Sequence, residues 1–212
     1  MSQPDEARLL LTLPILARMR SVEGWLSDGE ADLLVAGVAR ALAELPAPHA
    51  VVEVGSYCGR STTVLGSVVK ALDVDGRVYA VDPHEGEVGA LDQGLVRTSP
   101  TLARFERNMR DAGLAEVVLT IKQRSHEVEW ERPIAFLLVD GLHDYASVSG
   151  DFCHFEAWLV EGAYVAFHDY ADYYPGVKAF VNELLATGRY VAVRRVGSMM
   201  LVRRRPGAAA AA

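Results

Sequence analysis

The chain has 212 residues, half of them apolar and 23% charged, which is typical of a soluble globular domain with one well-filled core. Its formal net charge of −7 argues against a nucleic-acid partner, and no apolar run approaches the ~20 residues of a membrane span. The N-terminus lacks the basic start of a secretion signal and two cysteines make no disulfide framework, so we expect a cytoplasmic protein.

The N-terminal segment predicts two helices. An apolar run over residues 9–19 forms the first, and Ser27 with Glu30 makes a capping box at the start of the second. Pro46 stops the second helix. We therefore expect a helical extension over residues 1–48, whose first helix could pack against a second copy in a homo-oligomer.

From residue 51 onward, short apolar strands alternate with helices. The predicted strands are 51–54, 77–81, 117–121, 135–139 and 163–167, and the predicted helices are 61–72, 102–112, 147–159 and 177–185. Strands with little polar alternation are buried on both faces, as in a parallel sheet. Segments 190–196 and 199–203 predict a closing hairpin. The fold class is therefore α/β, a Rossmann-like, doubly wound, mostly parallel seven-stranded sheet with an antiparallel C-terminal hairpin and an N-terminal helical extension.

One domain accounts for the whole chain, since no linker or internal repeat separates two units. We expect the Rossmann-like core to cover residues 49–205 and residues 206–212 to form a flexible tail. Residues 84–100 are the one long irregular stretch, rich in Gly, Asp and Glu. Loops of that length often cover a site, although a disordered segment would have the same composition.

A glycine-containing turn follows the first core strand. In Gly55-Ser56-Tyr57-Cys58-Gly59 the glycines let a ligand approach bare backbone, and the helix that follows offers free N–H groups. Tyr57 stands where a dinucleotide-binding turn has its middle glycine, so the turn favours a cofactor without a diphosphate. Asp82, 23 residues beyond Gly59, can accept hydrogen bonds from a ribose diol.

Polar residues also follow the other predicted strands, at the edge where doubly wound sheets bind ligands. Together with the glycine turn they are Glu53 and Gly55, Asp82, Gln123 to Ser125, Asp140 with His143, and His168 with Asp169. Capping of the next helix explains Ser125 as well as a site does, but it explains Asp140 and Asp169 together poorly. The edge is therefore the predicted site.

Four ordered segments resemble class I S-adenosylmethionine-dependent methyltransferases, and more narrowly the small-molecule branch called the methyltransferase-24 family. They are E-V-G-S-Y-C-G-R-S-T at 53–62, V-D-P-H-E-G at 81–86, V-D-G-L-H-D-Y at 139–145 and F-H-D-Y at 167–170. The resemblance covers roughly residues 22–187. It implies a site for S-adenosyl-L-methionine (SAM) formed by Glu53, Gly55, Ser56, Tyr57, Gly59, Ser61, Asp82, Pro83, His84, Ser125 and Asp140.

The resemblance also implies a role for each part of that site. Gly55 and Gly59 lie against the methionine part of SAM, and Glu53 fixes the turn or holds the amino group through water. Asp82 binds the ribose hydroxyls and Ser125 lies beside the adenine. Asp140 lies near the methyl donor.

Methyl transfer needs an aligned acceptor and a way to make that acceptor nucleophilic. Related magnesium enzymes place carboxylates after the fourth and fifth strands, so Asp140, His168 and Asp169 are the predicted ligands of a divalent metal. A histidine in that set favours manganese, iron or zinc over magnesium. Histidine also changes charge near neutral pH, so His143 or His168 could take the proton directly, and His143 is the preferred base with or without a metal. The candidate catalytic residues are thus His143, Asp140 and His168.

The leading hypothesis is an O-methyltransferase acting on a small hydroxylated molecule, either a sugar or a natural product. A nicotinamide-dependent oxidoreductase shares Asp82 and the glycine turn, but the sequence lacks the middle glycine and a Tyr-x-x-x-Lys pair. A non-catalytic binding domain is the third hypothesis. It has little use for four titratable groups, Asp140, His143, His168 and Asp169, at one edge.

Overall fold

The computed structural model describes the backbone of residues 4–207 and the side chains of residues 12–207, so residues 208–212 of the predicted tail lie outside the described part. The elements, in chain order, are α1 Pro4–Met19, α2 Asp28–Glu44, β1 His49–Val54, α3 Arg60–Leu72, β2 Gly76–Val81, β3 Glu87–Ala90, β4 Gly94–Arg97, α4 Leu102–Asp111, β5 Val118–Ile121, β6 Ile134–Val139, α5 Tyr145–Glu156, β7 Leu159–Phe167, α6 Pro175–Ala186, β8 Tyr190–Val196 and β9 Met199–Arg204. A 3₁₀ turn, Ser125–Glu127, lies between β5 and β6. None of the described helices is long and apolar enough to cross a lipid bilayer.

The main sheet has seven strands in the order β5-β2-β1-β6-β7-β9-β8. The first five are parallel, while β9 and β8 are antiparallel, which confirms the predicted fold class. The strand order reverses between β1 and β6. Their carboxyl ends lie side by side, because the amide of Asp140 donates to the carbonyl of Val54 at 2.8 Å. Sheets of this kind bind ligands at such a reversal.

Both faces of the sheet are covered, because strand residues alternate between two apolar clusters. On one face, Val51 of β1 belongs to a cluster that includes Leu34 of α2. On the other face, Val52 belongs to a cluster with Phe152 of α5 and Phe180 of α6. This double burial is the reason that the parallel strands are apolar runs without polar alternation.

The N-terminal helices contribute to the first of these clusters. The capping box predicted at Ser27 is present at the start of α2. Helix α1 buries Ile15 and Leu16, whereas Leu13 is exposed. The side chains of residues 9–11 lie outside the described part, so contact with a second copy through this helix stays a prediction.

Two segments differ from what the sequence patterns predict. Strand β7 begins at Leu159, four residues before the predicted start, and α5 ends correspondingly earlier. The pairing register between β6 and β7 shifts there, and the extra residues form a bulge around Gly162. Residues 84–100 are also not irregular, because β3 and β4 pair within them as an antiparallel hairpin.

Candidate active site

A cavity of about 1220 Å³ opens where β1, β2, β6 and β7 end. Most of the predicted site residues line it, namely Gly55, Ser56, Tyr57, Ser61, Asp82, Pro83, Ser125, Asp140, His143, His168 and Asp169. Three predicted cofactor residues, Glu53, Gly59 and His84, are buried outside its wall. The sheet therefore brings the ends of four separate strands, with Asp82 and Asp140, to one cavity.

The two glycines of the turn are needed for different reasons within the chain itself. Gly55 has φ +88°, and a Cβ there would lie 2.0 Å from the backbone carbonyl oxygen of Asp140. Gly59 has φ +89°, a conformation that favours glycine, and a Cβ there would come closest to the flexible end of Met109 on α4, at 2.7 Å. Backbone packing at Gly55 and the positive φ at Gly59 thus supply reasons for glycine that the sequence interpretation, based on ligand approach, did not include.

Glu53 supports the glycine turn from the core. The Thr62 hydroxyl donates to its carboxylate at 2.5 Å, and the Ser61 hydroxyl donates to the other oxygen. Burial raises the pKa of Glu53 to about 8, and the two hydroxyl bonds only partly oppose that effect. This position suits the predicted role of fixing the turn, because the carboxyl group ties β1 to the first residues of α3.

Replacing Glu53 by glutamine should flatten the dependence of stability on pH. The pKa of Glu53 in the folded protein lies above its unfolded value of about 4.3. Its contribution to the free energy of unfolding is therefore complete below about pH 4.3 and is lost as the pH rises through about 8. Glutamine cannot ionise, so the variant does not lose stability through this group as the pH rises. Urea unfolding from about pH 5 to about pH 9 measures the difference. The exposed Glu129→Gln is the matched control, and a wild-type slope in Glu53→Gln would show that Glu53 stays ionised in the fold.

Asp82 is held rigidly at the end of β2. Its Oδ2 accepts from the amide of Tyr57 at 2.8 Å, and its Oδ1 accepts from the amide of His84 at 2.6 Å. The carboxylate remains in the cavity wall, where two oxygens can each accept a further hydrogen bond. His84 itself is buried against Phe105, with its Nδ1 2.7 Å from the Thr101 hydroxyl.

Ser125 has a partner that sequence reasoning missed. Its hydroxyl donates to the carboxylate of Asp151 on α5, and both side chains line the cavity. Burial raises the pKa of Asp151 to about 6. The signal was present in the sequence, because Asp144, Ser147 and Asp151 follow one another at spacings of three and four and form a polar stripe on one helix face.

An acidic and imidazole cluster lies at the ends of β6 and β7. One ligand atom from each of Asp140, His143 and Asp169 can be chosen so that all lie within 4.8 Å of one another. His143 Nε2 is 3.2 Å from Asp169 Oδ2. Asp169 has φ +56°, an uncommon conformation for a non-glycine residue that is often found at functional sites.

His168, in contrast, is engaged on both sides of its ring. Its Nδ1 lies 3.0 Å from Asp140 Oδ1 and 3.2 Å from Asp169 Oδ2, and its Nε2 lies 3.6 Å from Glu30 Oε2. Burial lowers the pKa of His168, but these three carboxylates outweigh it and hold the pKa well above the usual value. Asp140, His143 and Asp169 thus form a candidate metal-ligand group, and the predicted set with His168, whose Nδ1 also lies beside both aspartates, stays a prediction.

Glu30 is the second functional neighbour that sequence reasoning missed. It is buried and also accepts hydrogen bonds from the amides of Ser27 at 3.0 Å and Ser198 at 2.9 Å. Burial raises its pKa, but these bonds and His168 outweigh that effect and lower it. The capping box accounts for Glu30 completely at the sequence level, so no pattern indicated its second contact with His168.

The β3–β4 hairpin forms one wall of the cavity, as expected of a segment that covers a site. The amide of His143 donates to the carbonyl of Gly89 at 2.9 Å, and the amide of Leu91 donates to Asp144 at 3.2 Å. At the other end, Arg124 donates to Glu85 at 2.6 Å. These contacts fix the hairpin beside the acidic and imidazole cluster.

The chain has sequence and structural relatives. The sequence profile of a methyltransferase domain family, Methyltransf_24, matches residues 52–170. The solved O-methyltransferase NovP shares 19% identity and a TM-score of 0.71, over 84% of this chain and 81% of that chain. The SAH-bound methyltransferase PaMTH1 of Podospora anserina shares 12% identity and a TM-score of 0.64, over 97% and 90%. CalS11, a TDP-rhamnose 3′-O-methyltransferase of calicheamicin biosynthesis, shares 14% identity and a TM-score of 0.63, over 98% and 97%. At these identities the structures show a common fold.

Proposed function

The chain belongs to the Methyltransf_24 family of methyltransferase domains, and we propose that it transfers a methyl group from SAM to a hydroxyl oxygen of a small molecule, a sugar or a natural product. The observation that carries this proposal is the placement of His143 and Asp169 in the same cavity as Asp82 and the glycine turn. Oxygen as the acceptor atom is supported by the neighbours NovP and CalS11, which are both O-methyltransferases. The family assignment does not favour a nicotinamide-dependent oxidoreductase.

The cavity has a buried polar group without a protein partner where SAM would bind. The Ser56 hydroxyl is buried with no protein hydrogen-bond partner, and it lies in the cavity wall next to the start of α3. We assign the methionine end to this region, the ribose hydroxyls to Asp82, and the adenine to Ser125 and Asp151. When bound, SAM supplies an electrophilic methyl group on a sulfonium.

His143 is the proposed base. One ring nitrogen, Nε2, faces the Asp169 carboxylate at 3.2 Å, which leaves Nδ1 to accept the proton of the acceptor hydroxyl. Asp169 stabilises the imidazolium that forms. His168 braces Asp140 and Asp169 through Nδ1, and Glu30 faces its Nε2, so the geometry of His168 suits positioning rather than proton transfer.

Asp140, His143 and Asp169 also fit a divalent cation. Two ligand atoms that each lie about 2.1 Å from the same ion are about 3 to 4 Å from one another. The three side chains have ligand atoms within 4.8 Å of one another, so small movements would let them share one ion. Two carboxylates and one imidazole suit manganese, iron or zinc. Such an ion would supply a lower pKa for the acceptor hydroxyl.

Treatment with EDTA should leave turnover unchanged, because His143 with Asp169 can accept the proton without further help. The measurement compares the rate of methyl transfer before and after EDTA treatment and dialysis. Loss of turnover that Mn²⁺ restores would contradict the base mechanism and assign the activation of the hydroxyl to a metal held by the same side chains.

The proposal as a whole is tested by cofactor binding and by product. Calorimetry with S-adenosylhomocysteine (SAH) and with NAD should show binding of SAH alone. Mass spectrometry of reactions with hydroxylated metabolites should then show the gain of one methyl group on oxygen. Binding of NAD without SAH would contradict the methyltransferase function, and methylation on nitrogen would contradict the choice of acceptor atom.

A further inference from the structure

The cavity wall is strongly acidic. Within the described part of the chain it contains eight carboxylates, two arginines and no lysine. This imbalance bears on what the cavity can bind, because a buried anion needs a cationic partner or several hydrogen-bond donors. In this wall the cationic partner of an anion would have to be one of the two arginines.

The side chain of Arg60 binds the loop between α1 and α2. Its Nε donates to the carbonyl of Leu26 at 3.0 Å, and its Nη1 donates to the carbonyl of Val22 at 2.9 Å. Its side chain also packs against Gly24, where a Cβ would lie 3.0 Å from that of Arg60. Two of its five N–H donors thus bind backbone carbonyls, which hold the guanidinium in place, and it has no carboxylate partner among the described ion pairs.

Arg124 forms ion pairs with carboxylates at the opening of the cavity, here called the rim. Its Nη2 lies 2.6 Å from Glu85 and 3.8 Å from Glu87. Glu87 has a second partner in Arg97 at 2.9 Å, and Glu23 pairs with Arg104 at 2.6 Å. Ion pairs therefore neutralise the rim carboxylates and leave no guanidinium among these residues free for a ligand.

The interior of the cavity keeps its negative charge. Asp82 and Asp151 have no lysine or arginine partner among the described ion pairs, and Asp140 and Asp169 share His168 with Glu30. Beside these ion pairs the opening carries the aromatic ring of Trp25, which is 64% exposed and in contact with Tyr57. A ligand at the opening thus has an aromatic surface beside the paired charges of the rim, and the interior carboxylates lie further in.

Building on the function proposed above, we propose that the acceptor carries no phosphate or carboxylate. It is an uncharged or amine-bearing hydroxylated molecule with an apolar or aromatic body. A nucleotide-linked sugar would place two phosphates beside four interior carboxylates, Asp82, Asp140, Asp151 and Asp169, and the single guanidinium of Arg60 cannot offset that repulsion. An ammonium group would instead be attracted by the same wall.

The charge preference can be measured before any acceptor is known. Val88 of β3 is half-buried in the cavity wall, so Val88→Cys in a Cys153→Ser background places one reactive thiol there, since Cys58 is fully buried. The probes are two methanethiosulfonates of similar size, one ending in trimethylammonium and one in sulfonate. The rate ratio of cationic to anionic probe should be at least about tenfold higher at the thiol introduced into the cavity than at the native exposed Cys153 of the wild type.

The outcomes are distinct. If the ratio of cationic to anionic probe rates is higher at the introduced thiol and falls at high salt, the cavity disfavours anions as proposed. Equal ratios at the two thiols would overturn the proposal. In the mass screen, methylated products should come only from uncharged or amine-bearing acceptors. A methylated phosphate- or carboxylate-bearing product would overturn the inference while supporting the methyltransferase function. If SAH fails to bind, the proposed function fails, and the probe ratio still decides the charge preference of the cavity.

Discussion

Gly55→Ala should abolish SAH binding and lower the free energy of unfolding by about 3 kcal/mol or more. The new Cβ would lie 2.0 Å from the carbonyl oxygen of Asp140 and 2.7 Å from Cα of Gly141. Both are backbone atoms, so no side-chain rotation can relieve the clash. The ends of β1 and β6 would have to separate, and with them the glycine turn and Asp140, which both line the proposed site.

Gly188→Ala is the matched control for this substitution. Gly188 has φ +71°, and a Cβ there meets no heavy atom within 4 Å. It therefore carries the conformational strain of a left-handed alanine, about 1 kcal/mol, without a clash. Urea unfolding and SAH calorimetry on both variants separate the two effects. Equal destabilisation, with SAH affinity kept in Gly55→Ala, would show that the strand ends are not locked together as described.

The sheet could be predicted because its strands are buried on both faces. Val51 and Val52 belong to different apolar clusters, and such double burial leaves a continuous apolar run that is easy to recognise. The hairpin over β3 and β4 gives no such signal. Its strands are four residues long, are only partly buried, and are held by backbone contacts to the amide of His143 and to Asp144. Local sequence does not encode contacts of that kind.

The candidate site could be predicted only at the level of strand ends. That Asp140 and Asp169 approach each other follows from the parallel topology. The arrangement of the two histidines around them does not, because it depends on the direction of each side chain after its strand. His168 lies between the two aspartates, on its Nδ1 side, and Glu30 of α2, on its Nε2 side, while His143 lies beside Asp169 alone. A helix that precedes the whole sheet in the chain thus decides the arrangement, and single-strand patterns carry no information about it.

His143→Ala should lower turnover by about 10²-fold or more and leave SAH affinity within about twofold, because the imidazole removes a proton from the acceptor and has no assigned contact with the cofactor. The variant keeps the backbone amide of residue 143, which donates to the carbonyl of Gly89 at 2.9 Å and holds the β3–β4 hairpin in place. The rate with the acceptor from the mass screen and SAH calorimetry give the two quantities.

Three companion variants make the assignment of His143 specific. Asp169→Asn keeps the shape of the partner but removes its charge, so it should also lower turnover, because the imidazolium that forms is no longer stabilised. His154→Gln, outside the cavity wall with its own bond to the Val128 carbonyl at 2.8 Å, should change neither quantity. Full turnover in His143→Ala would remove it from the mechanism. A loss in His168→Asn as large as that in His143→Ala, with SAH affinity unchanged, would return the role of base to His168, since a bracing residue acts on the acceptor only through Asp140 and Asp169.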